Sequence, residues 1–253
     1  MSDEDRVKEL TAAIGELSEA QRFWIESVVA QFRRPHSFKR LESSDIVTAG
    51  VLNDFGDSLR IHHCFSKEAL SKDRFEYAFE RILKKCGVAA DLAPRGNPGH
   101  DITINNQRVS LKTQANAGIR DDQIWISKFM EMGRGDWTDK DSDLIGLRER
   151  FFNHMRSYDR IFTLRMLTKS GKSWRYELVE IPKALLLEAQ NGKLVMMHDS
   201  RQMPRPGYCH VTDQYGASKF DLYFDGGTER KLQIKGLNKA LCTVHATWTF
   251  EAG

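Results

Sequence analysis

The sequence predicts an α/β protein with helices first, an α/β centre and a β-rich, basic end. Three observations carry this expectation. Apolar residues recur at helical spacing over the first third of the chain. A two-armed stretch at 101–112 alternates apolar and polar with the period of a strand. Further stretches that lean β follow from residue 160 to the end.

Val7, Leu10, Ile14 and Leu17 fall at helical spacing over 5–17. Ser18 with Gln21 makes a capping-box start for a second helix carrying Phe23, Trp24, Val28 and Phe32, and Pro35 ends it. Residues 37–64 read as mixed and loop-rich, with Gly50 and Gly56 as breakers. Ser66 is expected to cap a long helix ending at Gly87, with Leu70, Phe75, Ala78, Phe79, Ile82, Leu83 and Cys86 as its apolar stripe. A loop from Ala93 to His100 leads into the two-armed stretch. Strands are expected at Ile124–Phe129, Arg160–Leu167, Trp174–Ile181, Phe220–Phe224, Arg230–Ile234 and Leu241–Phe250. Helices are expected at Leu144–Met155 and Ala184–Gln190.

The length of 253 residues suits one large domain, or a domain with an appended lobe. No apolar run approaches the length of a membrane span, and the charged start Met1–Lys8 does not read as a secretory signal, so a cytoplasmic location is expected. Cys64, Cys86, Cys209 and Cys242 form no CxxC, and no closed four-ligand spacing argues for zinc. Residues 1–144 carry 21 Lys and Arg against 24 Asp and Glu, a net −3. Residues 145–253 carry 17 against 11, a net +6. A basic C-terminal half beside an acidic N-terminal half is consistent with a polyanionic partner.

Asn105-Asn106 suits the two-residue turn of a hairpin, since Asn tolerates positive φ. Counting outward pairs 102 with 109 and 101 with 110, so Asp101 faces Ser110 and Lys112 lies one diagonal step further on the same face. Ile102, Ile104, Val109 and Leu111 then form the opposite face, which must be core. A carboxylate and a lysine on one strand face suit phosphodiester hydrolysis. That reaction needs an activated water and relief of charge on phosphorus, and a hard divalent cation such as Mg²⁺ supplies both. One carboxylate is too few, and the helix before the hairpin offers Glu76 and Glu80 at i, i+4.

Phe75-Glu76 on a helix, Pro98-Gly99-His100-Asp101, and Ser110-Leu111-Lys112-Thr113 resemble the core of the PD-(D/E)XK nucleases. Longer stretches are similar to type II restriction endonucleases within that superfamily, in particular to members cutting a palindrome of the CCCGGG type. These are Arg74–Phe79, Asn97–Ile104, Tyr158–Arg165, Leu178–Lys183 and Tyr223–Lys235, and the likeness spans roughly 55 to 250. The resemblance implies a restriction-endonuclease-like α/β core with a mixed sheet flanked by helices, a homodimer, Mg²⁺ as cofactor and double-stranded DNA as substrate. It implies one endonuclease domain over residues 1–253, with a helical segment over residues 1–64, a catalytic core over about 65–170 and a β-rich recognition region over about 171–253. It also implies catalytic roles for Glu76, Asp101 and Lys112, and metal ligation by Asp101, Glu76 and the Leu111 carbonyl. Ser110 departs from the motif, which has Asp or Glu there. The missing acid must come from Glu76, from Glu80 or from Glu131.

A dimer reads a palindrome half-site by half-site, and guanine is best read by Arg or Lys in the major groove. Arg201, Arg205, Arg230, Lys231 and Lys235 are the candidates for base or phosphate contact. Arg95, Lys128 and Ser110 are expected near the DNA at the cleavage site. Tyr208, Tyr223 and Trp248 are expected in the core. Two other readings keep the scaffold but change the activity: a non-catalytic DNA-binding protein, invited by Ser110, and a repair nuclease that cuts by DNA structure.

Overall fold

Two capping boxes start the chain. Helix α1 (Asp3–Gly15) opens on Ser2, which exchanges hydrogen bonds with Asp5, and α2 (Glu19–Arg33) opens on Ser18 and Gln21 as the sequence predicts. Strand β1 (His36–Arg40) and helix α3 (Ala49–Phe65) occupy the stretch expected to be loop-rich. Thr48 caps α3 through the Val51 N–H. Gly56 does not break this helix; it lets the helix lie against the sheet. A Cβ there would stand 2.3 Å from the Phe38 ring and 2.7 Å from that of Trp248.

Helix α4 (Lys72–Lys85) starts at Ser71, which accepts from the Arg74 N–H. The expected single helix from Ser66 is therefore shorter. Ser66 is extended backbone that ends α3, and Leu70 packs into the core from the turn between the two helices. Next come β2 (Ala90–Leu92), β3 (Ile102–Ile104), β4 (Gln107–Gln114), β5 (Gln123–Glu131), α5 (Asp143–Met155), β6 (Arg160–Met166) and β7 (Ser173–Glu180). The chain closes with α6 (Lys183–Leu187), β8 (Lys193–Met196), β9 (Gly207–Thr212), β10 (Ser218–Asp225), β11 (Lys231–Asn238) and β12 (Thr243–Glu251). The computed structural model describes residues 1–94, 96–97, 99–115, 118–133, 137–167 and 173–252.

The strands form two sheets. One has seven strands in the order β1-β12-β7-β6-β4-β3-β2, all neighbours antiparallel except β4 and β6, which run parallel. The other has five antiparallel strands in the order β5-β11-β10-β9-β8. One core lies between α3, α4 and the seven-stranded sheet, with Phe55, Phe75, Phe79, Val109, Leu111 and Trp248 at its centre. The second lies between that sheet's other face, α5 and the five-stranded sheet, around Phe151, Ile161, Val179, Phe220 and Leu232. The layers do not follow the division made along the sequence. β1 from the helical segment and β7 and β12 from the C-terminal region join the seven-stranded sheet, whereas β5 from the middle starts the other. Strand alternation fixes which face of a strand is buried, not which sheet receives it.

Among the described residues, no helix is long and apolar enough to cross a membrane. His63, on α3, is 5% exposed and stacked on Trp174 at 3.7 Å between ring centroids. Its neutral ring donates from Nδ1 to the Ser66 carbonyl (2.9 Å) and accepts at Nε2 from the Tyr176 hydroxyl (2.8 Å). Burial pushes its pKa down to about 4. In the window between 6.5 and 4 the unfolded chain takes up a proton that the folded one refuses. Stability is thus lost as pH falls through that window, by up to about 3 kcal/mol for this group. Denaturant titrations at about pH 7 and pH 4.5 should show a smaller acid loss in His63→Gln than in the parent, and equal losses would refute the assignment.

Candidate active site

The hairpin forms as its sequence predicts. Asn105 and Asn106 take φ of 48° and 64°, and the register pairs Ile102 with Val109 and Thr103 with Arg108. Ile102, Ile104, Val109 and Leu111 are buried beneath α3 and α4. The opposite face is less open than a solvated hairpin would be, because the second layer covers it. Ser110 is fully buried and Lys112 half-buried.

Asp101 is placed by three hydrogen bonds and by the tight course of the loop before it. Its N–H donates to the Val109 carbonyl at 2.9 Å. Its Oδ2 accepts from the Leu111 N–H at 2.6 Å and from the Ser110 hydroxyl at 3.2 Å. Gly99, two residues earlier, lies so close to α5's end that a Cβ would meet the Ser157 Cβ at 2.6 Å, so a larger residue would push this loop outward. Ser110 therefore serves the Asp101 carboxylate. It has no exposed surface in this structure, so the DNA contact expected of it has no surface here to form on.

Glu76 reaches the same place from α4. Lys72 Nζ stands 2.7 Å from Asp101 Oδ1 and 2.9 Å from Glu76 Oε1, which joins the two carboxylates through one cation. The second approach lies off hydrogen-bond geometry, so the buried Glu76 Oε1 has no hydrogen-bond donor. Burial pushes the Glu76 carboxyl above its usual range in spite of Lys72. Asp101 and Glu76 in turn hold the Lys72 ammonium above its ordinary value, although burial works against it. Lys72 was not anticipated from the sequence, but its spacing of four from Glu76 on one helix face was a usable signal.

Glu80 does not reach this cluster. It pairs with Lys84 at 2.8 Å, and Lys84 also holds Asp91. Glu131 stands across the cleft, exposed and paired with Lys128 at 2.7 Å.

Lys112 Nζ lies 5.3 Å from the centre of the Phe129 ring. Burial pushes its pKa down to about 8, the nearby Asp101 only partly offsetting this. His154 on α5, also unanticipated, shares the cleft. Burial and the Lys112 charge push its pKa down to about 4, so it is neutral near physiological pH, with its buried Nε2 unpaired. A cleft of about 580 Å³ holds Lys72, Asp101, Lys112, Lys128, Glu131 and His154. A second depression of about 440 Å³ meets it at Lys72 and Asp101 and reaches Glu76.

A third depression, about 650 Å³, continues past Glu131 to Gln202, Met203, Gly227 and Arg230. Arg201 is exposed beside it. Arg205 is anchored there, its carbonyl accepting from Trp137 Nε1 at 2.8 Å and its Nη1 lying 3.3 Å from His198 Nδ1. Lys231 pairs with Glu229 at 3.2 Å. Lys235 lies further along β11, its Nζ 3.4 Å from the centre of the Tyr223 ring and 3.3 Å from the Tyr208 hydroxyl. Trp248 is core, but Tyr208 and Tyr223 are half-buried on the outer face of the five-stranded sheet, because they alternate with its buried positions. Arg95 falls outside the described residues.

The Glu76 and Asp101 oxygens are hard donors converging on one positive charge, and one of them is buried without a donor. Such a pair suits Mg²⁺, which takes one or two carboxylates and keeps several waters. Among the described residues, no group of three or more His, Cys, Asp or Glu could hold a metal.

Comparison with known proteins places these features in a family context. The model of the SmaI family, type II site-specific deoxyribonucleases, matches residues 10–250. The type II restriction enzyme SmaI of Serratia marcescens is 50% identical over 209 residues, covering 82% of this chain and 83% of that protein. No solved structure matches the chain.

Proposed function

Since the chain belongs to the SmaI family of type II site-specific deoxyribonucleases, we propose that it cuts double-stranded DNA at a palindrome of the CCCGGG type, as a Mg²⁺-dependent homodimer with a PD-(D/E)XK core. The observation that carries the catalytic reading is the meeting of Glu76 and Asp101 on one positive charge, in a cleft that also holds Lys112.

Glu76, Asp101 and the Leu111 carbonyl are the proposed ligands. When bound, a divalent cation lowers the pKa of its water and offsets charge on the phosphate. The protein's own groups do the remaining work. Two donors fix Asp101 Oδ2, which leaves Oδ1 to face the cleft. Lys112 donates a hydrogen bond to the attacking water or to the phosphate oxygen that gathers charge. Neutral His154 beside it adds no competing positive charge. The Phe129 ring beside the Lys112 ammonium limits bulk water there.

Lys128 is proposed to touch phosphate on the cleft wall, as is Arg95. Arg201, Arg205, Arg230 and Lys231 border or adjoin the third depression, where a duplex leaving the cleavage site would present its bases. Lys235 extends this surface along β11.

Digestion of a long natural DNA with Mg²⁺ present, followed by sequencing of the fragment ends, tests the proposal. Discrete fragments ending within CCCGGG are expected. Binding without cutting, cutting confined to distorted DNA, or ends within another sequence would each overturn it.

A further inference from the structure

Lys72 stands at the start of α4, one turn before Glu76, and the hydrolysis proposed above gives it no role. Its ammonium is the one positive group placed within 3 Å of both carboxylates among the described residues. Its position is also the junction of two depressions, one on the Asp101–Lys112 side and one on the Glu76 side. The Lys72 side chain is 41% exposed, so its four-carbon stem has an open path into the cleft.

Two carboxylates brought this close repel each other unless a cation lies between them. In the metal-free protein the cation is Lys72. A divalent ion entering between the same oxygens would meet that ammonium at short range, and the two positive charges compete for one place. A divalent ion carries twice the charge of that ammonium and can take both carboxylates as ligands, which makes Lys72 the weaker occupant. We propose that Lys72 is a built-in placeholder, which holds Glu76 and Asp101 together in the metal-free protein and is displaced into the cleft when the divalent cation enters. This rests on the reading of Glu76 and Asp101 as ligands. Lys72 is on this account a positioning residue, and its removal should make metal binding tighter.

Calorimetric titration of the full-length protein with Ca²⁺, without DNA, tests this with no turnover involved. Lys72→Met should bind Ca²⁺ about tenfold more tightly than the parent, within the ordinary range of coupling between two bound charges. Lys72→Arg, which keeps the charge, should stay near the parent value. The melting temperature should fall in metal-free Lys72→Met and rise more on adding Ca²⁺ than it does in the parent. A merely structural lysine would give weaker binding on removal. Unchanged or weaker binding in Lys72→Met overturns the placeholder. If Asp101→Asn then loses Ca²⁺, the ligand assignment survives that result. If Asp101→Asn binds Ca²⁺ like the parent, the ligand assignment falls and the placeholder with it.

Discussion

Asp101→Asn should lower the rate of DNA cleavage about 1,000-fold while leaving duplex binding in a gel-shift assay intact. The size follows from a charge–charge contribution of several kcal/mol at the reacting phosphate, with each ~1.36 kcal/mol worth a factor of about ten. The substitution keeps volume and shape. The side-chain oxygen can still accept from Leu111 N–H and Ser110 Oγ, so the hairpin should not move. What disappears is the negative charge that Lys72 now neutralises. Ser110→Ala is the control. It removes the longer of the two donors to Asp101 Oδ2 and should cost about five- to tenfold, as expected of one ordinary hydrogen bond. Retained cleavage in Asp101→Asn would move the site elsewhere.

Glu177→Leu should destabilise the protein by about 3–5 kcal/mol, read as a drop in the denaturation midpoint. Glu177 lies under the junction of the two sheets, where it pairs with Arg165, whose side chain is 0% exposed. Arg165 also donates to Gln114 Oε1 at 2.8 Å and to the carbonyls of Arg120 (2.8 Å) and Gln123 (2.6 Å). Lys239 reaches Glu177 at 3.2 Å and Asp121 at 2.7 Å. Removing the carboxylate leaves a buried guanidinium without its counter-charge. The double variant Arg165→Met, Glu177→Leu should recover much of the loss, because an apolar pair is nearly as good in such a place. A near-neutral single variant would show that Asp121, already paired with Lys239, supplies the counter-charge in place of Glu177.

The features of the site that were legible in the sequence are those fixed locally. The hairpin followed from Asn105-Asn106 and alternation, and the α2 capping box from a spacing of three. Asp101, Lys112 and Glu76 followed from that hairpin and from the family likeness. Helix α3 was missed because Gly56 reads as a breaker until Phe38 and Trp248 are seen against it. Strands β1 and β8, short and at sheet edges, and β9 gave patterns too brief to separate from loop. Lys72 and His154 were missed for another reason. Each matters through a residue distant in the chain, Lys72 through Asp101 and His154 through Lys112, and only the tertiary fold supplies that proximity.

Strand β5 belongs to the five-stranded sheet by pairing with β11, yet its Ser127, Lys128 and Phe129 form the wall facing Asp101 and Lys112. One length of backbone is thus at once the margin of the surface proposed to read bases and the wall of the cleft proposed to hold the reacting phosphate. If the β10–β11 turn meets a wrong base pair, the misfit presses on the same strand whose Phe129 lies against Lys112. Fidelity would then be written into the speed of hydrolysis as well as into the lifetime of the complex, and near-cognate sequences should be held longer than they are cut.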